Sequence, residues 1–214
     1  MKTYKGWRHM PVKGSIYDVL QPGDTVFFGP GNHPHKVMGF VTKLFLPLIR
    51  MFSHSKFHHV VKCITVGKRK SDFMFYSVEP PKAKSIGYKQ IKNQGLILIR
   101  RPISKLSAVM VEKMRILWES KMQGVSYDEG QLLNMMFHKL LGFSEAEKKH
   151  FHIFEEGSAE RVCSVGVALL DRYALGFDPV PGVDVDLIDP GMLERTNMYY
   201  HVALCRGEDL IKVY

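Results

Sequence analysis

The 214-residue chain carries 45% apolar and 24% charged residues, a composition that suits one globular domain and excludes a disordered chain. Lys and Arg outnumber Asp and Glu by 30 to 21, a formal net charge of +9. That balance suits an anionic partner (cell-wall polymer, membrane headgroups or nucleic acid) or simply a basic surface kept for solubility. Three scattered cysteines, Cys63, Cys163 and Cys205, exclude a disulfide scaffold, and without a CxxC pair no structural zinc site is expected.

The first ten residues, Met1 to Met10, lack an apolar core, so no export signal is expected. Gln21-Pro-Gly-Asp24 reads as a turn and Thr25–Gly29 as a short buried strand. A Gly/Pro/His loop follows. From Met38 to Phe52 apolar residues recur at three- and four-residue spacing, which predicts an amphipathic helix. Lys43, Pro47 and Arg50 interrupt that stretch, so it is too short and too charged to span a bilayer.

Val60–Val66 and Phe73–Glu79 are β-rich runs joined by the polar segment Gly67–Asp72, which predicts a hairpin. Gly95–Arg100 reads as a further strand closed by Arg101-Pro102. Ser104 is then expected to cap a helix running to about Met122, with Leu106, Val109, Met110, Met114 and Leu117 on one face. Residues 130–157 are rich in Met, Phe and His and read as a helical insertion. A helix is expected from about Cys163 to Tyr173, turns at Asp178–Gly182 and Asp189–Gly191, and a last strand at Tyr199–Cys205. The sum is an α+β domain over residues 1–214, built on an antiparallel sheet packed against helices.

The hairpin carries the first chemical signal. With Val66 opposite Phe73, His59 lies opposite Pro80 and Val60 opposite Glu79. A register changed by one residue sets His59 and Glu79 face to face. Either way the imidazole and the carboxylate share the open end of the hairpin, where a carboxylate can fix the tautomer of the ring and raise its basicity. Cys163 is the candidate nucleophile. In the first turn of a helix, backbone N–H groups and the positive end of the dipole favour a thiolate, and the same groups can bind an oxyanion. The alternative is a buried structural cysteine between Val162 and Ser164-Val165, and that is also the reading for Cys63 and Cys205 inside apolar strands. His33, His35, His54, His58, His150 and His152 lack a carboxylate or cysteine at metal-ligand spacing and read as surface histidines. Lys68-Arg-Lys70 and Lys148-Lys149 fit solvated turns. No P-loop, dinucleotide fingerprint, zinc finger or RNA-binding signature is present, so no sequence-specific nucleic-acid partner is expected.

Taken in order, these motifs resemble the NlpC-type papain-like cysteine hydrolases in their circularly permuted, YiiX-like branch. Leu20-Gln-Pro-Gly-Asp24 resembles the opening before the first strand. Ser53-His-Ser-Lys-Phe-His-His59-Val60 resembles the passage that carries the histidine. Val78-Glu79 matches the end of the next strand, followed in order by Arg100, the helix to about Met122, and Gly124-Val-Ser-Tyr127-Asp128. Cys163-Ser164 fits the nucleophile motif and Asp189-Pro-Gly-Met-Leu193 the segment downstream. Relatives continue Cys-Ser-Glu-Leu, whereas this chain has Cys163-Ser-Val-Gly166.

The resemblance implies a permuted papain-like fold with the nucleophile at a helix N-terminus. It also implies a catalytic triad of Cys163, His59 and Glu79 acting through a thioester, with no metal or organic cofactor. Peptide or amide bonds of peptidoglycan are the expected substrate, with a lipid acyl hydrolase or acyltransferase as the alternative enzyme. The competing class is a non-catalytic binding module of a larger assembly. A cytoplasmic or virion-associated location is expected, with no transmembrane segment.

Overall fold

The turn before the first strand shows how a short motif sets the centre of the sheet. Gly23 takes φ +89°, a backbone region that favours glycine, and the Asp24 carboxylate accepts the N–H of Gln21 at 2.8 Å. The chain then enters β1 (Thr25–Phe28), all four residues of which are buried. Val26 and Phe28 belong to one apolar cluster and Phe27 to another, as expected of a strand covered on both faces. The computed structural model describes residues 13–29, 54–67, 69–92, 94–127 and 162–214. The expected Met38–Phe52 helix, His33, His35, Lys68, and the 130–157 insertion with His150 and His152 lie outside the described residues.

The sequence elements assemble into an α+β fold with a seven-stranded antiparallel sheet. The strands are β1, β2 (His59–Thr65), β3 (Met74–Ser77), β4 (Lys84–Gly87), β5 (Leu96–Pro102), β6 (Tyr199–Arg206) and β7 (Asp209–Val213), in the spatial order β4-β3-β2-β1-β5-β6-β7. The helices are α1 (Tyr88–Lys92), α2 (Ala108–Leu117), α3 (Cys163–Leu170) and α4 (Pro190–Arg195). One face of the sheet is covered by Ile16, Leu20 and Ile91. On the other, α3 and α4 pack on Phe27, Val60 and Leu98, and α2 packs on Ile64 and Tyr76.

Several sequence expectations need correction. Strand β4, helix α1 and edge strand β7 were not anticipated, because their runs are short and carry lysines that blur the β pattern. The cap of α2 is Ser107, whose hydroxyl accepts the N–H of Met110, rather than Ser104. The buried stripe is Met114 on that helix with Trp118 and Met122 on the π-helical turns that continue it, and Val109 is exposed, since it lies off the i, i+4 row. Asp189–Gly191 is not a free turn but the start of α4, where the Asp189 side chain accepts the N–H of Met192 at 2.9 Å and Pro190 occupies the first turn. His58 is buried rather than on the surface.

Two arginines in β5 tie the sheet to its surroundings. Arg101 binds both oxygens of Asp24 at 2.7 and 2.9 Å and the carbonyl of Val19 at 2.8 Å. Arg100, buried, donates to the carbonyls of Leu193 at 3.1 Å, Thr196 at 2.8 Å, Glu194 and Tyr199. The first three of these residues lie at the end of α4, where carbonyls lack helical partners, and Tyr199 opens β6. The Pro-Gly-Asp turn and Arg100 are therefore structural clamps.

Candidate active site

His59 opens β2, and its position follows from register. Within the hairpin Lys62 pairs with Tyr76 and Cys63 with Phe75, while a bulge between Cys63 and Thr65 shifts the pairing so that Thr65 meets Met74. One extra residue in the strand makes the difference. Carried to the open end, the inner register sets His59 opposite Glu79, the second of the two registers the sequence allows. The ring Nε2 lies 2.9 Å from Ser77 Oγ and 3.8 Å from Glu79 Oε2. Phe28 flanks the ring, with centroids 5.9 Å apart. Glu79 Oε1 also meets Lys84 Nζ at 2.6 Å, brought there by the pairing of Lys84 with Ser77.

Cys163 reaches the same place from α3. This helix begins after Val162, whose side chain provides no cap, so its first N–H groups remain available to other acceptors. The backbone N–H groups of Val60, Ser164 and Cys163 itself lie near enough to the sulfur to favour its thiolate. Val60 directly follows His59, and Cys163 shares an apolar cluster with Val60 and Phe57. Cys163 as a residue is 5% exposed, and burial pushes its pKa up to about 11 against the pull of those N–H groups, with the negative charge of Glu79 adding to the rise. The sequence expectation of a helix-stabilised thiolate is thus reversed, because desolvation of the sulfur outweighs the amides.

The close approach of α3 depends on Gly166. A Cβ there would stand 2.6 Å from Val78 Cγ2 and 3.4 Å from Met122 Cε. Gly166 is what lets the helix lie close to Val78, the residue between the end of β3 and Glu79. A second anchor lies just past the C-terminal end of the same helix, at Asp171. Asp171 and Lys62, both wholly buried, form an ion pair at 2.6 Å. Lys62 also donates to Thr25 Oγ1 at 2.9 Å, and Tyr199 O–H donates to Asp171. This network fixes the helix to β2 three residues from His59.

His59 and Glu79 therefore stand side by side, and Cys163 packs in one cluster with Val60, the residue after His59. Sequence reasoning missed Ser77 and Lys84. Ser77 sits two residues before Glu79 on the same strand, and period-two alternation is the signal that could have found it. Cys63 and Cys205 lie in the opposite apolar cluster with thiols raised by burial, Cys205 to about 12 and Cys63 well above its ordinary value. Among the described residues, no group of three or more His, Cys, Asp or Glu could hold a metal ion, and no helix is long and apolar enough to cross a membrane.

No family model and no curated protein matches the chain. Among solved structures it is similar to the metalloprotein YiiX from Escherichia coli O157:H7, at 17% identity and a TM-score of 0.55 over 86% of this chain and 97% of that one. The likeness is one of fold, and it extends over nearly the whole of YiiX.

Proposed function

We propose that this chain is a cysteine hydrolase of permuted papain-like, NlpC-type architecture, with Cys163 as nucleophile, His59 as base and Glu79 as the charge that favours the imidazolium. The observation that carries this reading is the packing of Cys163 in one cluster with Val60, the residue after His59, whose ring Nε2 lies near Ser77 and Glu79. In this reading Nδ1 is the nitrogen that serves the thiol.

The resting thiol is neutral, so its proton leaves as the sulfur attacks. His59 Nδ1 takes the proton from Sγ while Sγ bonds to the carbonyl carbon. The electron pair displaced onto oxygen meets the N–H of Cys163 at the start of α3. The imidazolium returns its proton to the leaving amine or alcohol as the tetrahedral carbon collapses to a thioester. Water then attacks that carbon, His59 accepts the water proton, and the carbon–sulfur bond breaks to give a carboxylic acid and the restored thiol. YiiX is described as a metalloprotein. Here the donor set among the described residues does not form a three-ligand site, and no step is routed through a metal.

A short peptide or amide of peptidoglycan is the proposed substrate, in keeping with the net charge of +9 and an anionic polymer. One observation favours lipid acyl chemistry as the second reading. A mainly apolar cavity of about 240 Å³ lies along α3 between Val78, Met122, Val125, Leu169 and Tyr173, dimensions that suit a short acyl chain. Incubation with muropeptides and, separately, with acyl lipids, read by mass spectrometry with Cys163→Ala as control, separates the readings. Cleavage of muropeptides supports the first, and loss of acyl chains supports the second. Retention of an interaction in Cys163→Ala without turnover of either by the unmodified chain would leave only a binding module.

A further inference from the structure

The apolar cluster that holds Cys163 continues onto β5 and β6 through Leu98, Leu96 and Leu204, and there it borders a second cavity of about 260 Å³. Its floor follows from strand alternation. Leu98 pairs with Leu204 and Leu96 with Arg206, so these four side chains share one face of the sheet. The register shift between Ile99 and Arg100 skips Val202 and sets His201 opposite Arg100, which returns His201 to that face. Phe57 and Ile211 add apolar wall, and Lys56 and Glu194 of α4 complete its polar part.

We propose that this cavity binds a medium-chain aliphatic carboxylate, its chain against Leu96, Leu98, Leu204 and Ile211 and its head at Arg206. The volume falls just under the usual range of small-molecule sites, about 300–1,000 Å³, and suits one unbranched chain. An apolar lining alone would take any hydrocarbon, and the charges select the head. Arg206 is exposed at the end of β6, where a guanidinium can meet a carboxylate through two N–H groups, and Lys56 adds positive charge to the lining. The lining carboxylate, Glu194, is engaged by Ser55, whose hydroxyl donates to Oε2 at 2.5 Å. His201 titrates below its usual range, held down by burial and by the charges of Arg100 and Lys212. Those two cations repel a further positive charge beside the cavity and attract a negative one.

Methyl correlation spectra of the full chain, labelled at Ile, Leu and Val and titrated with sodium decanoate below its micelle concentration, read the site directly. Saturable shifts centred on Leu96, Leu98, Leu204 and Ile211 are expected, with none from decylammonium at the same concentrations. Affinity should fall about two- to fourfold for each methylene removed from the chain. It should fall about two- to fivefold in Arg206→Gln, an exposed position whose loss the fold tolerates. Leu204→Trp should fill the cavity and abolish saturation, and the chain-length series and Arg206→Gln decide the matter if that variant does not fold. Shifts centred instead on Val78, Val125 and Leu169 would assign the chain to the cavity along α3 and overturn the proposal. So would equal binding of decanoate and decylammonium, or no saturable shift at all. The same shifts are expected in Cys163→Ala, so this inference and the hydrolase reading fail separately.

Discussion

Cys163 departs from the usual picture of an acidic thiol at a helix start. With its pKa pushed up to about 11, only about one molecule in ten thousand carries a thiolate at pH 7, so in the proposed mechanism reactivity there depends on His59. In His59→Ala the alkylation rate of Cys163 is expected to rise about tenfold per pH unit between about 7 and 10, following the free thiol, while the unmodified chain reacts faster and with a flatter profile. Identical profiles for the two, measured by peptide mapping, would remove His59 as base. Preference for Cys163 over the other thiols is not sufficient proof, because Cys205 is held higher, at about 12, and Cys63 is more deeply buried. The adjacency of His59 and Glu79 was legible from strand spacing, and the place of Cys163 at a helix start from the sequence around it. The state of the sulfur was not, because burial by Val60, Phe57 and their neighbours depends on contacts distant in sequence.

Helix α3 is positioned by a contact and an ion pair that pattern reading treats as unfavourable. Glycine inside a helix costs up to about 1 kcal/mol relative to alanine, yet at Gly166 a methyl group would strike Val78. Gly166→Ala should therefore destabilise the fold by about 1–3 kcal/mol in urea unfolding and slow Cys163 alkylation. Adding Val78→Ala should restore much of both, and a fully stable, fully reactive single variant would show that the close approach is dispensable. A lysine in the middle of β2 is equally unexpected, and it is held by Asp171. Asp171→Asn should cost about 3–5 kcal/mol by leaving a buried charge unpaired. Lys62→Met with Asp171→Leu should recover most of that, both read from unfolding midpoints. The strands β1, β2, β5 and β6 were readable because both faces demand apolar residues. The bulge between Cys63 and Thr65 was not, since it is set by pairing geometry, and it is what selects the His59–Glu79 register.

The whole molecule presents a net charge of +9 around a seven-stranded sheet whose one end gathers the candidate site. Attraction to an anionic polymer should weaken as salt rises from about 0.05 to 0.5 M, where screening lengths fall to a few ångströms. Co-sedimentation with peptidoglycan sacculi reads this, and salt-independent binding would count against an electrostatic role for the surface. The α+β class and antiparallel sheet followed from the alternation of strand and turn signals. The edge strands β4 and β7 escaped because Lys84 and Lys212, which suit an exposed edge, break the apolar pattern by which strands are recognised. The most direct measurement is peptide-mapped mass spectrometry of the chain quenched in acid during incubation with muropeptides and acyl lipids. A hydroxylamine-sensitive acyl adduct on Cys163, lost in His59→Ala, is the predicted result. Substrate turnover that persists in Cys163→Ala, or acyl groups spread equally over Cys63, Cys163 and Cys205, would contradict covalent catalysis at the start of α3.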